Sequence, residues 1–577
     1  MKKFNYIFVL MLSAVLFASC EDALEKEPLT SFTNSNYWTS ETNVELYANY
    51  FYNEWTGYGN GTGSGVFYFP TLNDNQVSNS YADWKSTSVD ASNSTWSSCY
   101  TEIRRANILI EKVPGIDAMS QSQKNKWIGI AKLYRAWQHY CLVRSFGDCY
   151  YIDTVLDPDA DADVLYGART DRDAVMDKVL ADLNEAVSLI PASTSRTEYN
   201  QAVAQAIKSE ICLYEGTFCK YRSSSDGQKA ADASRAATYL NASKEASKAI
   251  MNNSNYSLTA NYLDNYQSLD LAGNKEMILY KQYIYGVLAH STVDYTCSST
   301  MQSGISKAAF ESYLFTDGKP LKLTSEDTND HATFTKKADG NYLADIQALL
   351  AVRDPRLGMQ IDPYLAYRGT SWARLGTDGK GMEGTSSTGY GVAKFDNLSV
   401  EYGHRPEGNK NETDAPIFWL SNVILNYAEA CAETGDDAAA VAAVNQLRDR
   451  VGMPHLTTSP AADPANNMGV SSLIWEVRRE RRVELMFDND DRYWCLIRWH
   501  QLDKLDSGQY PDILRGAWVG TNVFGTVADG KAPVVDADGY INGSNGKTRT
   551  YDKKQYLRPI PTDQIQLNPE IGQNPGW

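Results

Sequence analysis

Catalysis needs particular residue types at particular spacings, and the chain offers several patterns to weigh. Gly379-Lys-Gly381-Met-Glu-Gly384 has the glycine spacing of a dinucleotide loop. That chemistry requires a strand before it and a helix after it to aim backbone N–H groups at a pyrophosphate. Neither flank reads that way, so the segment is expected to be a flexible loop. Gly546-Lys547-Thr548 ends like a phosphate loop, but Ile541 stands where the leading glycine belongs. Asp157, Asp159 and Asp161 begin like a calcium loop, yet Ala162 and Ala168 replace the glycine and the closing glutamate. The six histidines form no HExxH, and no GxSxG nucleophile elbow occurs. Among 71 acidic residues nothing singles out a glycosidase pair. The expectation is a protein without catalysis, cofactor or metal.

Binding is a better match. The chain has 37 Tyr and 13 Trp against 16 Phe. Tyr and Trp carry a flat apolar face and a polar tip, which suits half-wet surfaces. Sugar C–H faces lie flat on such rings, while hydroxyl edges bond to Asn, Asp and Arg, often through water. Three loops combine rings with those polar types. The first runs from Asn73 to Trp84 and offers Asp74, Asn75, Tyr81 and Trp84. The second offers Tyr283 and Tyr285, with His290 and Tyr295 nearby. The third offers Arg368 and Trp372 beside Tyr367. The competing role for each ring is to pack its own loop down.

Helices must position these loops. Trp127, Ala131, Tyr134, Trp137 and Cys141 recur at steps of three and four. Helices are also predicted over 171–190, 201–220, 230–251, 419–433, 438–451 and 473–487, with Pro191, Gly435 and Gly452 as stops. Ala204, Ile207, Ile211 and Tyr214 share one stripe of the helix over 201–220. Such pairs look like tetratricopeptide-type units, although no clean 34-residue repeat is present. Residues 256–409 and 508–550 are rich in Gly, Ser, Thr, Asp and Tyr and read as loops with a few strands. The predicted fold is mostly α: degenerate tetratricopeptide-like helix pairs packed with a loop-rich lobe containing a few short strands.

The first twenty residues read as an export signal. Lys2 and Lys3 precede an apolar run from Tyr6 to Phe17, too short to span a bilayer but the length of a signal-peptide core. Leu16-Phe17-Ala18-Ser19-Cys20 resembles a bacterial lipobox, which makes Cys20 the lipidation site. Glu21 and Asp22 resemble the surface-export signal of Bacteroidetes lipoproteins. Losing the leader takes basic residues from 54 to 52 against 71 acidic ones, a mature charge near −19. That balance argues against nucleic acid as a partner. The other eight cysteines form no compact framework, and most are expected to be buried free thiols.

Several segments together resemble the SusD/RagB family: 96–107; 133–148; Arg353-Asp354-Pro355-Arg356-Leu357; 425–430; 478–485 with Arg492-Tyr493 and Arg498-Trp499; and the tail from Tyr556 to Pro561, ending at Trp577. From the residues alone, 478–485 reads as paired, partly buried structural arginines, with Glu476 meeting Arg479 and Arg481 meeting Glu484 at i,i+3. Pro559 and Pro561 fix an extended tail against the body. The resemblance implies a glycan-binding lipoprotein, anchored through its lipid on the outside of the outer membrane. It would serve as a lid that delivers oligosaccharides to a SusC-like TonB-dependent transporter. Peptide cargo, as in the RagB branch, and a protein-binding helical scaffold are the alternatives. The expected layout is signal peptide 1–19, tether 20–36, an N-terminal helical part 37–255 and a C-terminal part 256–577, packed as one globule.

Overall fold

The structure, a computed structural model, describes residues 37–577 apart from 63–64, 79, 158, 160–164, 298–302, 327–332, 337–341, 366–371, 376–380, 385, 406 and 521–533. The lipobox with Cys20, the signal segment and the tether therefore lie outside the described residues.

Helices begin where side chains can satisfy the first N–H groups. α1 (Glu41–Ala48) starts on Ser40 and α2 (Ser94–Lys112) on Asn93. α3 (Gln121–Phe146) starts on a Ser120/Gln123 capping box. α4 (Arg172–Leu189) starts on Asp171, α5 (Gln201–Tyr221) on Asn200 and α6 (Ala233–Met251) on Asp232. The last cap corrects the expected start at residue 230. Consecutive members of α2–α6 pack side by side. Glycines permit close approach twice: a Cβ on Gly129 would meet Ile190 Cγ1 at 2.8 Å, and one on Gly216 would meet Leu240 Cγ at 2.7 Å. α3 is buried on nearly every side from Gly129 to Phe146 rather than along one stripe, because α2, α4 and α5 all pack on it.

The second helical block is α7 (Leu420–Glu433), α8 (Asp437–Val451), α9 (Ser472–Glu484) and α10 (Asp491–Arg498). Gly452 caps α8 in the left-handed conformation, as its position predicts. α9 stops at Glu484, short of the expected 487. α7 packs on α5 and α6 as well as on α8 and α9, joining the two blocks.

Between and after the blocks lie short strands. β1 (Gln76–Ser78) pairs antiparallel with β3 (Ser303–Ile305), and β2 (Met277–Lys281) with β10 (Ala415–Trp419), which runs straight into α7. β4 (Thr333–Lys336), β5 (Tyr342–Asp345), β6 (Ile361–Leu365) and β9 (Tyr390–Val392) form one sheet. β7 (Trp372–Leu375) pairs antiparallel with β8 (Gly381–Gly384), and β11 (Arg515–Trp518) with β12 (Tyr540–Asn542). The glycine run 381–384 is thus a strand rather than a loop, and no helix follows it, which removes the dinucleotide pattern.

α9 carries the densest electrostatics. Glu476, Arg478, Arg479, Glu480, Arg481 and Glu484 are all buried. Glu476 meets Arg479 at 3.2 Å, as the spacing predicts. The expected Arg481–Glu484 pair does not form. Arg481 turns to Glu429 on α7 (3.0 Å) and Asp491 on α10 (3.2 Å), while Glu484 takes Arg356 (3.0 Å) and Arg450. The helix is enclosed by protein on several sides, so each end of that candidate pair faces a different neighbour. Glu480 joins Arg356 and Arg448, and Arg478 joins Glu433. Burial opposes the charge on Glu429, but Arg498 and Arg481 outweigh it and draw the carboxyl down to about 2.

The tail is extended and closes the end of α3. Arg558 N donates to Ser145 O at 2.8 Å, and Asn574 Nδ2 donates to Phe146 O at 2.9 Å. Trp577 Nε1 bonds back to Leu557 O at 2.9 Å. Cys99, Cys141, Cys149, Cys212, Cys219, Cys431 and Cys495 are all buried free thiols. Among the described residues no helix is long and apolar enough to cross a membrane.

Two outcomes follow from the buried charges. Glu429→Gln leaves Arg498 without its carboxylate and Arg481 with Asp491 alone, and should cost about 3–5 kcal/mol, read from urea unfolding midpoints. Glu429 has a folded pKa below its unfolded one, so the folded chain holds fewer protons. Its contribution is complete above about 4.5 and disappears as pH falls to about 2. An acid titration followed by circular dichroism should show stability falling through that window.

Candidate functional site

The most built of the predicted loops is residues 73–84. Asn73 Oδ1 accepts the N–H groups of Asn75 and Gln76 at 2.8 and 3.0 Å, folding the turn on itself. β1 then anchors the chain to β3. Asp74 receives Arg492 through two bonds, Nε at 2.6 Å and Nη2 at 2.7 Å, and Arg482 Nη2 lies 3.2 Å away. Asn75 Oδ1 accepts Arg482 Nε at 2.7 Å. Burial would raise the Asp74 carboxyl, but Arg482 and Arg492 hold it well below the usual carboxylate range. Asp74 and Asn75 are 5% and 3% exposed. The structure places both beneath the surface, as anchors that tie the loop to α9 and α10.

Beyond β1 the chain turns at Tyr81 in the left-handed region (φ 58°). Tyr81 OH donates to Thr548 O at 2.7 Å, and Trp84 Nε1 donates to Thr550 O at 2.8 Å. The polar tips are thereby spent on backbone, and both rings remain half-buried. Tyr551 meets Trp84 edge-on at 6.5 Å, and Lys547 and Arg549 lie 5.5 and 5.6 Å from the Tyr81 ring. Asp83 stands exposed between the rings. The result is a shallow shelf of rings with charged and hydroxyl groups at its rim. It can stack flat apolar faces and bond to their edges. It holds no nucleophile beside a base.

The other predicted residues sit apart from this shelf in the sequence and in their contacts. Tyr283 is buried, its hydroxyl bonded to Gly59 O at 2.8 Å. His290 is fully buried, bonded to Thr413 O at 2.9 Å and pushed down to about 3 by burial. Both pin the loop rather than face solvent. Tyr285 is 50% exposed and stacks on His404 at 4.1 Å. Tyr295 packs on Phe69. Trp372 lies in β7 with its backbone opposite Gly384, and Arg368 lies outside the described residues. Sequence reasoning missed Thr548, Arg549, Thr550 and Tyr551. Their signal was a Tyr within a polar loop, the same mark that singled out Tyr81.

A model of the SusD family matches residues 220–577, well over half of the chain. The chain belongs to the SusD family. A second model, described as starch-binding and associating with the outer membrane, matches residues 22–213. SusD-like protein P38 of Formosa agariphila is 22% identical over 523 residues, covering 86% of this chain and 92% of that protein. SusD-like protein P2 of the same organism is 24% identical over 504 residues, covering 84% and 80%. A SusD-like carbohydrate-binding protein from Bacteroides fragilis has the same fold at a TM-score of 0.67 and 20% identity, covering 93% of this chain and all of that one. A laminarin-binding SusD-like protein aligns at a TM-score of 0.54 and 20% identity, with the same coverage. SusD-family proteins are non-catalytic binding proteins.

The anchor can be tested in isolation. Asp74→Asn removes the charge that faces Arg482 and Arg492, so amide protons of Gln76–Ser78 should exchange markedly faster while those of α3 keep their protection. Unchanged exchange in β1 would mean the pair does not hold the loop.

Proposed function

We propose that this SusD-family protein is a cell-surface, lipid-anchored glycan-binding protein that captures oligosaccharides and passes them to a SusC-like TonB-dependent transporter. The observation that supports the reading is the shelf of Tyr81, Trp84 and Tyr551: the first two rings are held by backbone bonds to their polar tips, and Tyr551 packs edge-on against Trp84. The family description, starch-binding and associating with the outer membrane, supports both the cargo and the place. The carbohydrate- and laminarin-binding relatives support the cargo. Lys547 and Asp83, both exposed, suit sugar hydroxyls at the rim, while Arg549 is buried and bonds to Ala82 O. The hand-off needs no chemistry from the protein itself, because the transporter supplies the energy. Cys20 carries the lipid, and several acyl chains at roughly 0.8 kcal/mol per buried CH₂ hold the body at the membrane.

Affinity gels containing neutral glucans read the shelf directly. Trp84→Ala should weaken retention about tenfold, the loss of one stacked ring at roughly 1–1.5 kcal/mol. Trp84→Phe, which keeps a ring and gives up the Thr550 bond, should retain most of the binding. Equal loss in both variants would assign Trp84 to loop packing instead. For the anchor, Cys20→Ser should abolish radiolabelled palmitate incorporation and release the protein from the membrane fraction; a variant that stays membrane-bound would overturn the assignment.

A further inference from the structure

The segment 504–515 has two sides. On one side Ile513 and Leu514 pack with Val77 against Tyr81, beneath the ring shelf. On the other it faces α9 and α10 across a cleft of about 450 Å³. The shelf and the cleft therefore share a wall.

The inner end of that cleft is lined by arginines. Arg479, Arg482 and Arg492 reach it together with Trp475 and Ser312, and a narrow extension adds Arg478. Their charge is unevenly matched. Arg479 is met by Asp463 and Glu476, and Arg478 by Glu433. Arg482 and Arg492 share a single carboxylate, Asp74. Among the described residues, their bonds to Asp74 and Asn75 use Nε and Nη2 only, so the Nη1 edge of each stays open. Arg478 Nε is buried and also unpartnered. A guanidinium edge left open in a partly desolvated site is a strong donor to an oxyanion. At the mouth, Lys504 Nζ donates to Tyr510 OH at 2.8 Å and sits 2.9 Å from Asp503. The acids there are already engaged: Asp512 with Lys307 and Arg515, and Glu311 with Arg353. This concentration of guanidinium stands out in a chain of formal charge −17.

We propose that this cleft is an anion subsite, in which Arg482 and Arg492 receive a carboxylate or sulfate ester carried by the captured glycan. The inference rests on the glycan-binding reading and narrows it to acidic polysaccharide fragments. A chain lying on Tyr81 and Trp84 turns over the 510–514 wall, and an acidic substituent enters the cleft behind it. Trp475 and Tyr510 supply apolar surface for the sugar that bears the acid.

The test uses the purified full chain and three probes at matched ionic strength: tetragalacturonate, a sulfated carrageenan tetrasaccharide and neutral laminaritetraose, each followed by calorimetry. The expected result is at least tenfold tighter binding of one acidic probe than of the neutral one. Which acidic probe wins distinguishes carboxylate from sulfate. Arg482→Gln should erase the acidic preference. Because Arg482 also holds Asn75, Lys504→Gln serves as a second variant, expected to weaken the acidic probe about threefold and leave the neutral one unchanged; circular dichroism checks the fold of both. Acidic and neutral probes binding equally well would overturn the anion subsite while leaving the glycan reading intact. So would unchanged acidic affinity in both folded variants. Binding of none of the three would bring down the glycan reading, and the subsite with it.

Discussion

A buried guanidinium must be met by carboxylates and carbonyls, because leaving it bare costs several kcal/mol. α9 buries Arg478, Arg479 and Arg481 within thirteen residues, and neighbouring Arg482 is nearly as enclosed. Their partners come from α7, α10, the segment before α9 and the loop ahead of β1. The glutamates of the same helix recruit Arg356 and Arg448, and Arg450 as well. Each pair adds little net stability over an apolar pair of the same volume. What the set supplies is uniqueness: any arrangement that separates one partner leaves a charge stranded. The scaffold and the base of the recognition loop are thereby held in one register by the same helix.

That coupling explains how a shallow site can be well defined. Tyr81 and Trp84 are only half-buried, and few contacts hold them directly. Their positions come from below, through Asp74, Asn75 and the short β1–β3 ladder, and from the side, through two backbone carbonyls of residues 548 and 550. A site so arranged presents its rings already in place, so that little rotamer freedom would be lost on contact. It also stays open to solvent. Both properties suit the capture-and-release role proposed above.

Local physics was legible in the sequence, and distant pairing was not. The helices of both blocks follow from apolar steps of three and four and from caps such as Asn200 and Gly452, all within a few residues of one another. Glu476–Arg479 was legible for the same reason. Arg481–Glu429 was not: two carboxylates lay within reach on different helices, and only the packing chooses between them. Asp74 carries the composition of a ligand-binding residue, a carboxylate in an Asn-rich turn. Its actual partners stand more than 400 positions away, and no local pattern announces them. The same distance hid Tyr551 from Trp84. The conversion of 381–384 from loop to strand shows a further limit, since a glycine-rich strand is specified by the partner it pairs with.

The tail has a consequence for how the molecule is made. The carbonyls of Ser145 and Phe146 sit at the end of α3, the longest helix among the described residues, where no intrahelical donor remains. They are satisfied by the amide of Arg558 and the side chain of Asn574. A chain made from its N-terminus presents Arg558 and Asn574 to this helix only after about 400 intervening residues. Until then the end of α3 keeps its last carbonyls unsealed, and the part already built carries an unfinished surface that can stick to its neighbours.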